Sequence, residues 1–189
     1  MSNRRDYPLT VASKVAAEMV LEIAPYCEKL QVAGSVRRCK RYVGDVEILY
    51  VPYFAKKKRG LFPGADVDVD LAEPLLNSLV EAKILSKRLN AKGTPMWGDK
   101  NKFAVHVATG IPIDFFATTL ENWWVSLVVR TGSRETCMKL TNGANNLGRS
   151  LKVSGCGVMD ERTDEMLIAH SEEDVFRFCG QKYVAPEYR

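Results

Sequence analysis

Asp45 and Glu47 stand two residues apart at the head of an apolar run, Val46-Glu-Ile-Leu-Tyr-Val51. Valine, isoleucine and tyrosine favour strands, so residues 46–51 are predicted as a strand, on which residues two apart share a face. Both carboxylates therefore point the same way. Two like charges ~4 Å apart repel by about 4 kcal/mol at an effective dielectric of about 20, and a divalent cation between them removes that cost. Upstream, Gly34-Ser35 forms a tight turn followed by Arg37, Arg38, Lys40 and Arg41. Backbone N–H groups, a hydroxyl and guanidinium forks at such a turn suit phosphate oxygens. Phosphate binding beside paired acids reads as metal-assisted phosphoryl or nucleotidyl transfer.

Gly-Ser, nine residues, then Asp-x-Glu in an apolar strand resembles the signature of the polymerase-β-like nucleotidyltransferase superfamily. Gly-Ser-x-Arg-Arg resembles, more narrowly, the family X DNA polymerases. Two further stretches carry the resemblance: Thr131-Gly132-Ser133 between predicted helices, and the tail Tyr183-Val-Ala-Pro-Glu-Tyr-Arg189 behind an acidic-capped helix. The resemblance implies an α+β fold: a palm over residues 1–118, with a mixed sheet and flanking helices, then a small α/β thumb over 119–189. It implies two-metal addition of nucleotides to a DNA primer 3′-hydroxyl, as in gap filling during repair. Asp45, Glu47 and Asp114 would be the catalytic carboxylates and Mg²⁺ ligands, with Mn²⁺ able to substitute. Gly34, Ser35 and Arg38 would bind the triphosphate of a dNTP, and Thr131, Gly132 and Ser133 its sugar and base. The implied partners are primer-template or gapped DNA and a nucleoside triphosphate, bound by a monomer away from membranes.

The chain departs from the family pattern in three respects. Glu47 replaces an aspartate, Val129-Arg130 replaces an aromatic pair, and Arg134 and Cys137 replace polar side chains that face the nucleotide. Val129 is small, which predicts weak sugar discrimination, and Arg130 is expected to point at a phosphate or solvent because an unpaired buried guanidinium is costly. The rival readings are a non-templated nucleotidyltransferase and a nucleic-acid-binding module without activity.

The rest of the chain must position these groups. Val11, Val15, Met19, Val20 and Ile23 recur at helical spacing, predicting a helix over 9–26 behind a loose arm. A short strand over 30–32 leads into the Gly-Ser turn. Residues 52–74 lose periodicity. They carry a basic tetrad, Lys56–Arg59, and alternating Asp66, Asp68 and Asp70, read as solvated acids. A helix over 71–81 and strands over 84–89, 103–108 and 111–117 follow, the last placing Asp114 among apolar neighbours. Helices are predicted over 120–130 and 134–147, the second capped by Ser133, then short strands over 150–153 and 158–160. His106 reads as structural.

Composition is that of an ordinary globular chain of 189 residues, 46% hydrophobic and 26% charged. A net charge of +4 permits a nucleic-acid partner without demanding one. The N-terminus lacks the apolar core of a signal peptide, an expectation of cytoplasmic location under which the five cysteines stay reduced. Without helix-hairpin-helix clamps, DNA is expected to be held weakly through its backbone, with Lys56–Arg59, Lys100 and Lys102 as candidates.

Overall fold

The computed structural model describes residues 6–58, 66–152 and 157–189. The chain runs β1 (Tyr7–Pro8), α1 (Leu9–Ile23), β2 (Cys27–Ala33), α2 (Gly34–Arg37), β3 (Tyr42–Val43), β4 (Val46–Pro52), β5 (Phe54–Lys58) and β6 (Asp66–Asp70). It continues with α3 (Ala72–Glu81), β7 (Leu85–Lys87), β8 (Asn101–His106), β9 (Pro112–Ala117), α4 (Trp123–Thr131) and α5 (Arg134–Asn146). The last elements are β10 (Arg149–Lys152), β11 (Gly157–Asp160), β12 (Glu165–Leu167) and α6 (Glu172–Phe178). The fold is α+β, as expected.

A mixed five-stranded sheet, order β2-β4-β9-β8-β7, is the foundation. Its only parallel pair is β4 with β9; the others are antiparallel. Strand alternation sorts β4 cleanly. Ile48 and Tyr50 pack with Ile113 and Phe115 against Met19 and Ile23 of α1 and Leu76 of α3. Leu49 and Val51 face the other way with Phe116, against Trp123 and Leu127 of α4. Helix α4 serves a second core as well, because Val125 and Val128 on its far side pack with Leu140, Val158, Val175 and Phe176. That core holds α5, α6 and the antiparallel β10-β11-β12 sheet together.

The structure corrects several expectations. The described end of the arm before α1 is not loose: Tyr7–Pro8 pairs with β3, and Tyr7 donates to the Gly110 carbonyl at 2.6 Å. Helix α1 begins at Leu9, as expected, with Pro8 in the cap position and no side-chain cap, and ends at Ile23. The stretch after β4 is a β5–β6 hairpin in which Lys56 faces Asp68 and pairs with it at 3.3 Å. Asp70 is not a solvated acid. It is half-buried and caps α3 through the N–H groups of Ala72 and Glu73. Arg59, the side chain of Asp66, Val153 and Cys156 lie outside the described residues. Cys27, Cys39, Cys137 and Cys179 are free thiols. No helix among the described residues is long and apolar enough to cross a membrane.

Candidate active site

Parallel pairing of β4 with β9 sets Glu47 directly beside Asp114. Asp45, at the entry to β4, lines the same cleft as Glu47. The three expected acids therefore meet, although Asp114 lies far along the chain from the other two. Their proximity is visible in Glu47, which is pushed up to about 7 by burial and then by the charges of Asp45 and Asp114, against the pull of Arg130 and Arg38. Asp114 is buried and accepts from Arg88 Nη1 at 2.7 Å.

Gly34 opens the Gly-Ser turn at φ +62°, and a Cβ there would sit 2.9 Å from the Glu47 carboxyl carbon. Only glycine combines that backbone with the close approach of the carboxylate. Gly34→Ala should fold with a loss of about 1 kcal/mol while displacing Glu47. A crystal structure of the variant with Glu47 unmoved would refute this.

The residues after Gly34 form a single helical turn, and its two arginines diverge. Arg38 lines the cleft. Its Nη1 donates to the Thr131 carbonyl, and its Nε is buried without a hydrogen-bond partner. Ser35 Oγ is likewise buried, unpartnered and on the cleft wall. Unmatched buried donors at one cleft, beside Lys40 and Arg134, suit an anion with several oxygens.

Arg37 turns away. It forks onto Glu172 at 2.8 and 2.9 Å and donates to Thr131 Oγ1 at 2.8 Å. The C-terminal Arg189 reaches the same Glu172 at 3.0 Å while stacking over Phe176 and Tyr183. Burial alone would raise Glu172, but hydrogen bonds from both arginines overcome it and hold the carboxyl below its ordinary range. A carboxyl lowered on folding stabilises above its unfolded value of 4.5, and that contribution is lost as pH falls through the folded value.

The Thr131–Ser133 turn divides between two duties. Thr131 is fully buried and fastened by Arg37 and Arg38, so its side chain does not reach the cleft. Gly132 and Ser133 do line it, and the Ser133 hydroxyl caps α5 by accepting from the Thr136 N–H. Val129 packs against the C-terminal core rather than under the cleft, which removes the stated reason for weak sugar discrimination. Arg130 points neither to solvent nor into the cleft: its guanidinium lies 3.6 Å from the Phe116 ring centroid. The cleft measures about 370 Å³.

Sequence reasoning missed Arg88 as the partner of Asp114, and read the connection after it only as a Gly93-Thr-Pro95 turn. Asn90 closes this turn, its Oδ1 accepting from the N–H groups of Lys92 and Thr94, and Met96 bonds back to the Arg88 carbonyl. Leu89 to Pro95 are exposed, Lys92 among them. The Asn-x-x-Gly-Thr-Pro pattern was the available signal. Lys102, a candidate for DNA contact, is fully buried and donates to the Gly98 and Asp99 carbonyls. It cannot reach a phosphate.

Carboxylate oxygens suit a hard divalent ion, and the mutual repulsion felt by Glu47 is what such an ion would relieve. Among the described residues no group of three or more metal-ligating side chains is already drawn into a cage. Asp45 and Glu47 fit as holders, with Asp114 adjacent and shared with Arg88.

Residues 126–189 match the family model described as DNA polymerase beta thumb. The match spans the end of α4, the α5–α6 core, and both Glu172 and Arg189. The C-terminal third of the chain is thus similar to the thumb of a DNA polymerase. No curated protein matches the chain.

Proposed function

We propose that the chain is a DNA polymerase of the family X type, a palm over 1–118 and a thumb over 119–189, that adds nucleotides to a primer 3′-hydroxyl. The observation that carries this reading is one cleft with unsatisfied Ser35 and Arg38 donors on one wall and coupled acids on the other. A wall of that cleft, Gly132 and Ser133, belongs to the segment that matches a polymerase thumb.

Asp45 and Glu47 would hold Mg²⁺, which would lower the pKa of the hydroxyl attacking the α-phosphate and offset charge on the pyrophosphate that leaves. Ser35 and Arg38 hold the terminal phosphates in line. Asp114, oriented by Arg88, accepts the proton of the 3′-hydroxyl. Gly132 is held to glycine by packing, since a Cβ there would crowd Cys137 Sγ and the Val128 carbonyl at 3.1 Å.

The test is primer extension with Mg²⁺ and dNTPs on single-stranded, template-primer and gapped DNA. Template-directed addition, strongest on gaps, is expected. Equal addition to single strands would favour the non-templated alternative, and no addition anywhere would end the reading.

DNA is held through its backbone by exposed lysines. Binding is expected to be weak and to fall by about two orders of magnitude from 50 to 200 mM salt. Lys92→Ala should flatten the salt slope by about 1, while Lys56→Ala, paired with Asp68, should change it less. Equal slopes in fluorescence anisotropy titrations would remove the Arg88–Lys100 connection from the interface.

A further inference from the structure

We propose that Arg130 is a resident counter-cation of the acid cluster, acting beside Arg88 and Arg38, and helps set how tightly a divalent ion is held there. The inference rests on the nucleotidyl-transfer reading and concerns a residue for which that reading has no use.

Arg130 lies in the last turn of α4, the helix whose Trp123 and Leu127 bury against the sheet face that carries the acids. Its guanidinium stacks on Phe116, which follows Asp114 by two residues on β9 and shares its face, about 7 Å along the strand. Glu47 is the register neighbour of Asp114 on β4. The stack therefore parks a positive charge one strand-step from two carboxylates.

Among the described residues no carboxylate lies within ion-pair distance of Arg130, unlike Arg88, which bonds Asp114 directly. Arg130 acts through the field instead. It pulls Glu47 down, while burial lowers Arg130 itself against the opposing charges of Glu47 and Asp114. Arg130 is only partly exposed, so the coupling is screened less than at the open surface. The Phe116 face fixes the guanidinium where it is, and a polar recess of about 110 Å³ edged by Thr118, Asn122 and Ser126 adjoins it.

A fixed positive charge has two opposite effects. With no metal it relieves repulsion among the acids and stabilises the fold. Toward a divalent ion it is a competitor, and removing it should tighten binding.

The test is Mn²⁺ binding to the full chain at low salt, followed by electron paramagnetic resonance, for wild type, Arg130→Met, Arg130→Lys and Asp45→Asn. Arg130→Met should bind Mn²⁺ about tenfold more tightly. Arg130→Lys, which keeps the charge, should stay within about twofold of wild type, and the Arg130→Met gain should shrink as salt is raised. In EDTA, Arg130→Met should melt below wild type and then gain more from Mn²⁺. Unchanged or weaker binding by Arg130→Met, with wild-type binding still dependent on Asp45, would overturn the inference and leave the active-site reading standing. A lysine variant behaving like the methionine one would also overturn it, since packing rather than charge would then matter. Absence of any Asp45-dependent Mn²⁺ binding in wild type would overturn both.

Discussion

Asp45→Asn and Asp114→Asn are each expected to lower Mg²⁺-dependent nucleotide incorporation by about 10³-fold while leaving the fold intact. Each removes one hard oxygen ligand or proton acceptor from a site where nothing else supplies it. The acid cluster also has a signature independent of activity. Glu47 is raised from 4.5 to about 7 in the folded chain, so between those values the native state binds more protons than the unfolded one. Metal-free stability must then fall as pH rises through that window, by at most about 3 kcal/mol. Glu47→Gln removes the titration. In EDTA it should match wild type near pH 5 and melt several degrees higher at pH 8, on the order of 5 °C. Mg²⁺ should close that gap by stabilising wild type alone. Differential scanning fluorimetry across pH, with and without Mg²⁺, gives the answer. A flat difference between the proteins would mean that neither burial nor the neighbouring acids raise Glu47 in the folded chain. Near-normal incorporation by either aspartate variant would sink the assigned site.

The second large effect separates the neighbouring arginines. Arg37→Ala leaves Glu172 buried with Arg189 as its remaining cation, and breaking a buried pair by removing one partner costs about 3 kcal/mol or more. The melting temperature should drop by roughly 6–12 °C for a chain of this size. Arg38→Ala gives up one hydrogen bond to the Thr131 carbonyl, so its melting temperature should move far less. Nucleotide affinity should show the reverse ordering, with Arg38→Ala weakened by about 30-fold through loss of a charge-assisted contact. Arg37→Ala should bind nucleotide nearly normally at temperatures where it remains folded. Equal losses of affinity in both variants, measured with a fluorescent nucleotide, would mean a diffuse basic patch instead of one clamp and one fastener.

The resemblance around Gly34-Ser35 and Asp45 was legible because it is local. A turn, a strand and alternating side chains are fixed by residues a few positions apart, so their geometry follows from backbone stereochemistry alone. Helix α5 with its Ser133 cap was legible for the same reason. The β1–β3 ribbon and the β5–β6 hairpin were not, because two-residue strands and a Lys-rich segment carry no hydrophobic period.

By itself the sequence determined the α+β class, the common face of Asp45 and Glu47, and Asp114 as a third acid in an apolar strand. Only the tertiary structure decided what those residues touch. Parallel pairing of β4 with β9 brings Glu47 to Asp114, and the docking of α4 on the sheet lays Arg130 over Phe116. The closing of the C-terminal core hands Arg37 to Glu172 and leaves Arg38 on the cleft wall. The physical reason is that charges interact through space. Whether an arginine binds phosphate, caps a turn or fastens two cores depends on which carboxylate folding brings within a few ångströms of it, and no local periodicity encodes that distance.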